Sequence, residues 1–130
     1  MKIIMLIGRH RSGKTKTINE IFDAVKGPND QRIMLTHSVS RDDFEAEIIF
    51  NGRKIGFYSA GDARNDVITA ISKYTKSGCD VLICANSFVH SLWHNHWLSV
   101  FLQRNYPQHI IIPIKVNIPI ISDIISEIKN

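Results

Sequence analysis

Cysteine is scarce in this chain of 130 residues: there are two, Cys79 and Cys84. Along one strand they would stand about 16 Å apart at ~3.3 Å per residue, against the roughly 7 Å between Cα atoms that a disulfide tolerates. The sequence therefore predicts free thiols, which suits a reducing compartment. Cys84 lies among Val81, Leu82, Ile83 and Ala85 and reads as a small buried hydrophobe. Long apolar runs are also missing, and nothing approaches the roughly 20 residues that span a bilayer. The opening run from Ile3 to Ile7 stops at Gly8. It is too short for a signal-peptide core and lacks a small-residue cleavage site, so a cytoplasmic protein without a membrane partner is expected. There are no repeats, low-complexity tracts or linker-like stretches. With 44% hydrophobic and 22% charged residues, 1–130 is expected to fold as a single domain.

An excess of one charge sign is confined to one place. Lys and Arg number 16 against 12 Asp and Glu, and Arg9, Arg11, Lys14 and Lys16 fall within eight positions. Without those four the balance is even. Such a local surplus points to a compact anionic ligand rather than to a nucleic-acid backbone.

Six segments carry strand character: 2–7, 32–36, 45–50, 53–58, 80–85 and 109–115. The first and fifth are apolar throughout, as in buried central strands. Asn51-Gly52 between the third and fourth is a strong hairpin signal, because both turn residues need positive φ. Pro113 moves the sixth towards an edge. Helical spacing covers 14–26 (Ile18, Ile21, Phe22, Val25), 65–76 (Val67, Ala70, Ile71, Tyr74), 88–104 (Val89, Trp93, Trp97, Val100, Phe101) and 119–129 (Ile121, Ile124, Ile125, Ile128). Strands alternating with helices predict a three-layer α/β/α domain. Its sheet is mostly parallel, with one antiparallel hairpin strand.

Gly8-Arg9-His10-Arg11-Ser12-Gly13-Lys14-Thr15 satisfies G-x-x-x-x-G-K-[ST] at every required position. A match somewhere in a chain of this length arises by chance about 0.5% of the time. Here it also follows a buried-strand run and opens an amphipathic helix. The glycines let successive N–H groups turn inward as an anion nest, and the helix adds its positive end. Lys14 reaches β- and γ-phosphates as a point charge. The Thr15 hydroxyl offers a ligand to Mg²⁺, which also takes phosphate oxygens. His10 offers a hydrogen bond to phosphate, and Lys16 adds charge at the helix start.

On these residues the chain resembles the P-loop NTPase superfamily over 2–26. The resemblance implies the P-loop NTPase fold and a nucleoside triphosphate, ATP (or GTP), held with Mg²⁺ by residues 8–16. Phe50-Asn51-Gly52-Arg53 through Gly61 is also similar to the hairpin that leads into the D-x-x-G switch of Ras-like GTPases. Tyr58 replaces the Asp of that switch, and Ile114-Lys115-Val116-Asn117-Ile118 stands where N-K-x-D would read guanine. ATP is therefore expected in preference to GTP. The segment 59–62 (SAGD) with 79–85 is similar to small uncharacterised bacterial P-loop proteins, which implies no assigned activity.

Ligands of open α/β sheets bind beyond the carboxyl ends of the strands, which points to 58–62 and 85–87. Asp62 is the expected carboxylate there, as metal partner and catalytic group beside Lys14. It is equally placed to cap the helix that follows. Ser59 offers a hydroxyl or a turn residue. Arg64 reaches a terminal phosphate or stays solvated. Asp80 falls at the opposite end of its strand and is discounted. His90 and His94 share a helical face, but there is no H-E-x-x-H and no third ligand, so with His96 they read as a helix rim. Trp93 and Trp97 read as core, or alternatively as a homodimer contact. Three activities are compatible with this site: a slow Mg²⁺-dependent NTP hydrolase, a phosphotransferase on a small acceptor, and a regulatory switch for a protein partner through 37–44 and 59–66. The usual kinase inserts do not fit in 130 residues.

Overall fold

The computed structural model describes residues 1–9, 12–35, 42–61, 64–88, 100, 102–116 and 121–129. Its elements are β1 (Lys2–Arg9), α1 (Lys14–Val25), β2 (Ile33–Met34), β3 (Phe44–Phe50), β4 (Arg53–Tyr58), α2 (Arg64–Lys76), β5 (Val81–Phe88), β6 (Ile110–Lys115) and α3 (Ile121–Lys129). Residues 100 and 102–105 are also helical. The strands form one sheet in the order β2-β3-β4-β5-β1-β6. β4, β5, β1 and β6 run parallel, and β3 runs against both of its neighbours. The chain is thus a mixed α/β protein with a mostly parallel sheet.

Alternation along the strands sorts the core into two layers. Ile4 and Leu6 of β1 and Val81, Ile83 and Ala85 of β5 pack with α1 and α3. Ile3, Met5, Leu82 and Cys84 face the other way, with α2 and Leu102. Because β1 and β5 are covered on both faces, their sequences are apolar without alternation. The stripe on α1 buries Ile18, Ile21, Phe22 and Val25 as expected. The Phe22 ring meets Phe44 and Phe57 edge-on, with centroids 5.4 and 5.3 Å away. Tyr74 of α2 lies over the other face and donates to Phe57 O at 2.8 Å.

The hairpin turns on Asn51 and Gly52, with φ of 52° and 76°. That turn sets the register from Phe50↔Arg53 to Glu45↔Tyr58. Three strands differ from expectation, the first of them β1, which runs on through Gly8 to Arg9. β2 holds only Ile33 and Met34, both exposed, because an outer strand with one neighbour buries little. β5 runs three residues past Ala85, because Asn86, Ser87 and Phe88 continue the ladder against Ile7, Gly8 and Arg9. Phe88 therefore belongs to a strand rather than opening a helix, while 89–99 lies outside the described residues. Asp80 sits at the far end of β5, where its Oδ2 accepts from Lys54 N at 2.9 Å.

Both cysteines are free and buried. Burial pushes the Cys84 thiol up to about 12 and Cys79 to about 11, so both stay protonated at neutral pH. Among the described residues no helix is long and apolar enough to cross a membrane.

At the pole opposite the Gly-rich loop, His109 is 8% exposed. Neither ring nitrogen has a hydrogen-bond partner among the described residues. Its ring stacks near Tyr106, with centroids 6.0 Å apart. Burial first, and the Met1 amine second, hold its pKa below the usual 6.5. The unfolded chain thus takes up this proton at a higher pH than the fold does, and stability falls as pH drops below about 6.5. In urea titrations between pH 7.5 and 5.0, His109→Gln should lose less stability than the wild type. Identical losses would show that His109 does not titrate with folding.

Candidate functional site

β1 ends in Gly8 and Arg9, and the chain turns into α1 through Ser12 and Gly13. The turn folds tightly over the strand end. A Cβ on Gly8 would overlap Ser12 Oγ and Val116 Cγ2, so a larger residue would have to push both side chains aside. Gly13 sits at φ 95°, ψ 14°, in the left-handed region, and contributes no capping side chain to α1. The first turn holds no acidic residue. The first helical bond runs from Thr17 N to Gly13 O at 2.9 Å.

Lys14 is buried, 6% exposed. Its Nζ donates to Gly8 O at 3.1 Å and to Ser12 Oγ at 3.3 Å, so the ammonium lies against the residues where β1 ends and α1 is about to begin. Thr15 meets a different element. Its hydroxyl donates to Asp43 Oδ1 at 3.0 Å. The same oxygen accepts from Ser59 Oγ at 2.9 Å. Ser59 Oγ in turn accepts from Phe44 N at 2.9 Å. Asp43 and Ser59 are each 2% exposed. Ser59 N donates to Phe44 O at 3.0 Å and Leu35 N to Asp43 O at 2.9 Å, so both ladders of β3 run up to the cluster.

Three elements therefore meet here: the start of α1, the entry to β3 and the exit from β4. Because β3 is antiparallel, its first residues lie at the same pole as the last residues of β4. Asn86 of β5, 5% exposed, lies at this pole as well, opposite Ile7. A Thr15 hydroxyl that donates its hydrogen bond to a carboxylate keeps its oxygen lone pairs as acceptors, which suits a hard cation. Among the described residues no group of three or more His, Cys, Asp or Glu side chains is gathered to hold a metal alone.

Of the expected site residues, the structure brings together Gly8, Ser12, Gly13, Lys14 and Thr15, and adds Ser59 through Asp43. Lys16 is exposed on α1. The backbones of Arg9 and Arg64 lie in β1 and α2. His10, Arg11, Asp62, His90, Trp93, His94, His96 and Trp97 lie outside the described residues. Asp43 did not stand out in the sequence, although the hairpin held the signal. Counting back from Asn51-Gly52 puts residue 44 opposite 59, and Asp43 beside that pair. Tyr58, where the Ras-like switch has Asp, is 3% exposed. Burial first, then Asp66, Glu45 and Asp43, raise its pKa above 10, so it is a neutral phenol at physiological pH.

No protein-family model matches the chain, and neither a curated protein nor a solved structure matches it.

Ser59→Ala removes a hydroxyl from Asp43 and the acceptor of the Phe44 N–H. Leaving such buried groups unpaired costs about 1–3 kcal/mol. Urea denaturation should show that loss, and an unchanged midpoint would mean that solvent replaces Ser59.

Proposed function

We propose that this chain is a P-loop protein that binds a nucleoside triphosphate with Mg²⁺, ATP in preference to GTP, and hydrolyses it slowly. The observation that carries the reading is the hydrogen bond from Thr15 to the buried Asp43, next to a lysine folded into the preceding Gly-rich loop. In this reading Thr15 is the cation ligand and the loop before it the phosphate site, so both halves of a metal–triphosphate site fall within one turn of helix.

In this reading backbone N–H groups of the loop and the Lys14 ammonium receive the β- and γ-phosphate oxygens. The lysine exchanges its present acceptors, Gly8 O and Ser12 Oγ, for charged ones. Magnesium, when bound, neutralises charge on the transferred phosphoryl group. The Thr15 hydroxyl donates its hydrogen bond to Asp43 and keeps an oxygen lone pair for that ion. Asp43 holds the hydroxyl in this orientation. Asp62 remains the second proposed carboxylate, for orienting the attacking water. The preference for ATP rests on the missing guanine-reading motif at 114–118.

Equilibrium binding of labelled ATP with MgCl₂ tests the reading. Lys14→Ala should weaken binding at least tenfold while the thermal midpoint shows that it folds. Equal affinities would overturn the nucleotide site. Asp43→Asn should keep ATP binding in EDTA and lose about 10- to 100-fold in Mg²⁺ affinity or turnover, the usual effect of removing a partner behind a metal ligand. Turnover of Asp62→Asn compared with that of Asp43→Asn shows which carboxylate serves the reaction. Product analysis separates free phosphate from a phosphorylated acceptor.

A further inference from the structure

Behind Thr15, on the next turn of α1, lies a second polar assembly that the proposed function leaves unused. Asn19 Nδ2 donates to Thr15 O at 3.0 Å and to Asp42 O at 3.4 Å. Asn19 thus links the residue that offers the cation ligand to the residue that precedes the buried carboxylate. Its amide is held in turn by Arg32. Arg32 Nε donates to Asn19 Oδ1 at 2.7 Å, and Nη2 donates to Asn19 O at 3.3 Å and Asp23 Oδ1 at 2.6 Å. The guanidinium carbon sits 4.5 Å from the Phe22 ring centroid and 5.2 Å from that of Phe44.

The donor chemistry fixes which way the amide faces. A guanidinium has five donors and no acceptor, so Arg32 can face only the oxygen of Asn19. The NH₂ is thereby turned towards the two carbonyls. Flipping the amide would set donors against donors at Arg32 and oxygen against oxygen at Thr15 and Asp42. Arg32 is itself locked by the two aromatic faces and Asp23, so this orientation is held from outside the site.

We infer that Arg32 and Asn19 are positioning residues for the metal half of the triphosphate site, holding the Asp42–Asp43 backbone against α1 so that Asp43 meets the Thr15 hydroxyl. The inference rests on the nucleotide reading above. It assigns the Mg²⁺ requirement, not phosphate affinity, to this pair. Lysine cannot take the place of Arg32, because one ammonium does not reproduce a fork that stacks on rings.

The test is the Mg²⁺ concentration that half-saturates ATP binding, measured beside ATP affinity in EDTA and the thermal midpoint. Asn19→Asp keeps an acceptor for Arg32 but has no donors for Thr15 O and Asp42 O. The Mg²⁺ requirement of this variant should rise about tenfold, with ATP affinity in EDTA within twofold of wild type. Arg32→Lys should shift it in the same direction by a smaller factor, and it decides the matter if Asn19→Asp does not fold. Asp23→Asn, which leaves the Arg32–Asn19 bond in place, should change it less than twofold. A purely structural clamp would lower the thermal midpoint and leave the Mg²⁺ requirement unchanged in all three, which would overturn the inference while the nucleotide site stood. A wild-type protein whose ATP binding ignores Mg²⁺ and survives Lys14→Ala would remove both.

Discussion

Asp43 Oδ1 accepts one hydrogen bond from Thr15 at the head of α1 and another from Ser59 just past the end of β4. A carboxylate with 2% of its surface exposed must be repaid for lost hydration. Hydrogen bonds to a charged group contribute about 1.5–3 kcal/mol each, more than neutral ones. The arrangement therefore works only if all three residues arrive together. That requirement joins the helix that follows the Gly-rich loop to a hairpin two strands away from β1 in the sheet.

The sheet meets the requirement through order and direction. β1 lies between β5 and β6, and β5 separates it from β4. α1 leaves the end of β1 and packs its apolar stripe on the face that also carries Phe44 and Phe57. The Phe22 ring, edge-on to both, sets the first turn of α1 over the end of the hairpin. Hydrophobic packing thus brings Thr15 across β5 to the pole where Asp43 enters. Arg32 closes the same junction from the outer edge, stacked on Phe22 and bonded to Asn19.

Much of this could be read from residue order, and what could not has a physical reason. The apolar runs of β1 and β5, the stripes of α1, α2 and α3 and the Asn51-Gly52 turn are local patterns, and each lies where its pattern predicts. Gly8 to Thr15 was legible because a strand, a glycine turn, a lysine and a helix make one local statement. Asp43 was not, because attention to the carboxyl ends of parallel strands passes over an antiparallel strand, whose amino end lies at the same pole. Ser59 read as a turn residue for the same reason: its partner is 16 positions away. The polar run Asn86-Ser87 read as the end of a strand, yet pairing with Gly8 and Arg9 carries β5 on to Phe88. Pairing across a sheet overrides local propensity. Arg32 read only as the start of a strand, since its role depends on a helix face that no linear pattern joins to it.

The accuracy of the site derives from the core rather than from the polar residues themselves. Asp43 stands one step before the ladder whose register begins at Phe50↔Arg53. Side chains alternate along β3, with Phe44, Ala46 and Ile48 inward and Glu47 and Ile49 outward. A slip of one residue would turn that whole set to solvent and bring the charged set into the core. The cost of exposing a buried Phe and Ile alone, about 1.5–3 kcal/mol each, exceeds what a shifted hydrogen bond recovers. The alternation that hides β3 from water therefore also keeps Asp43 opposite Thr15. An apolar-to-polar exchange at Ala46 or Ile48, remote from the Gly-rich loop, would loosen the position of the carboxylate before it unfolded the chain.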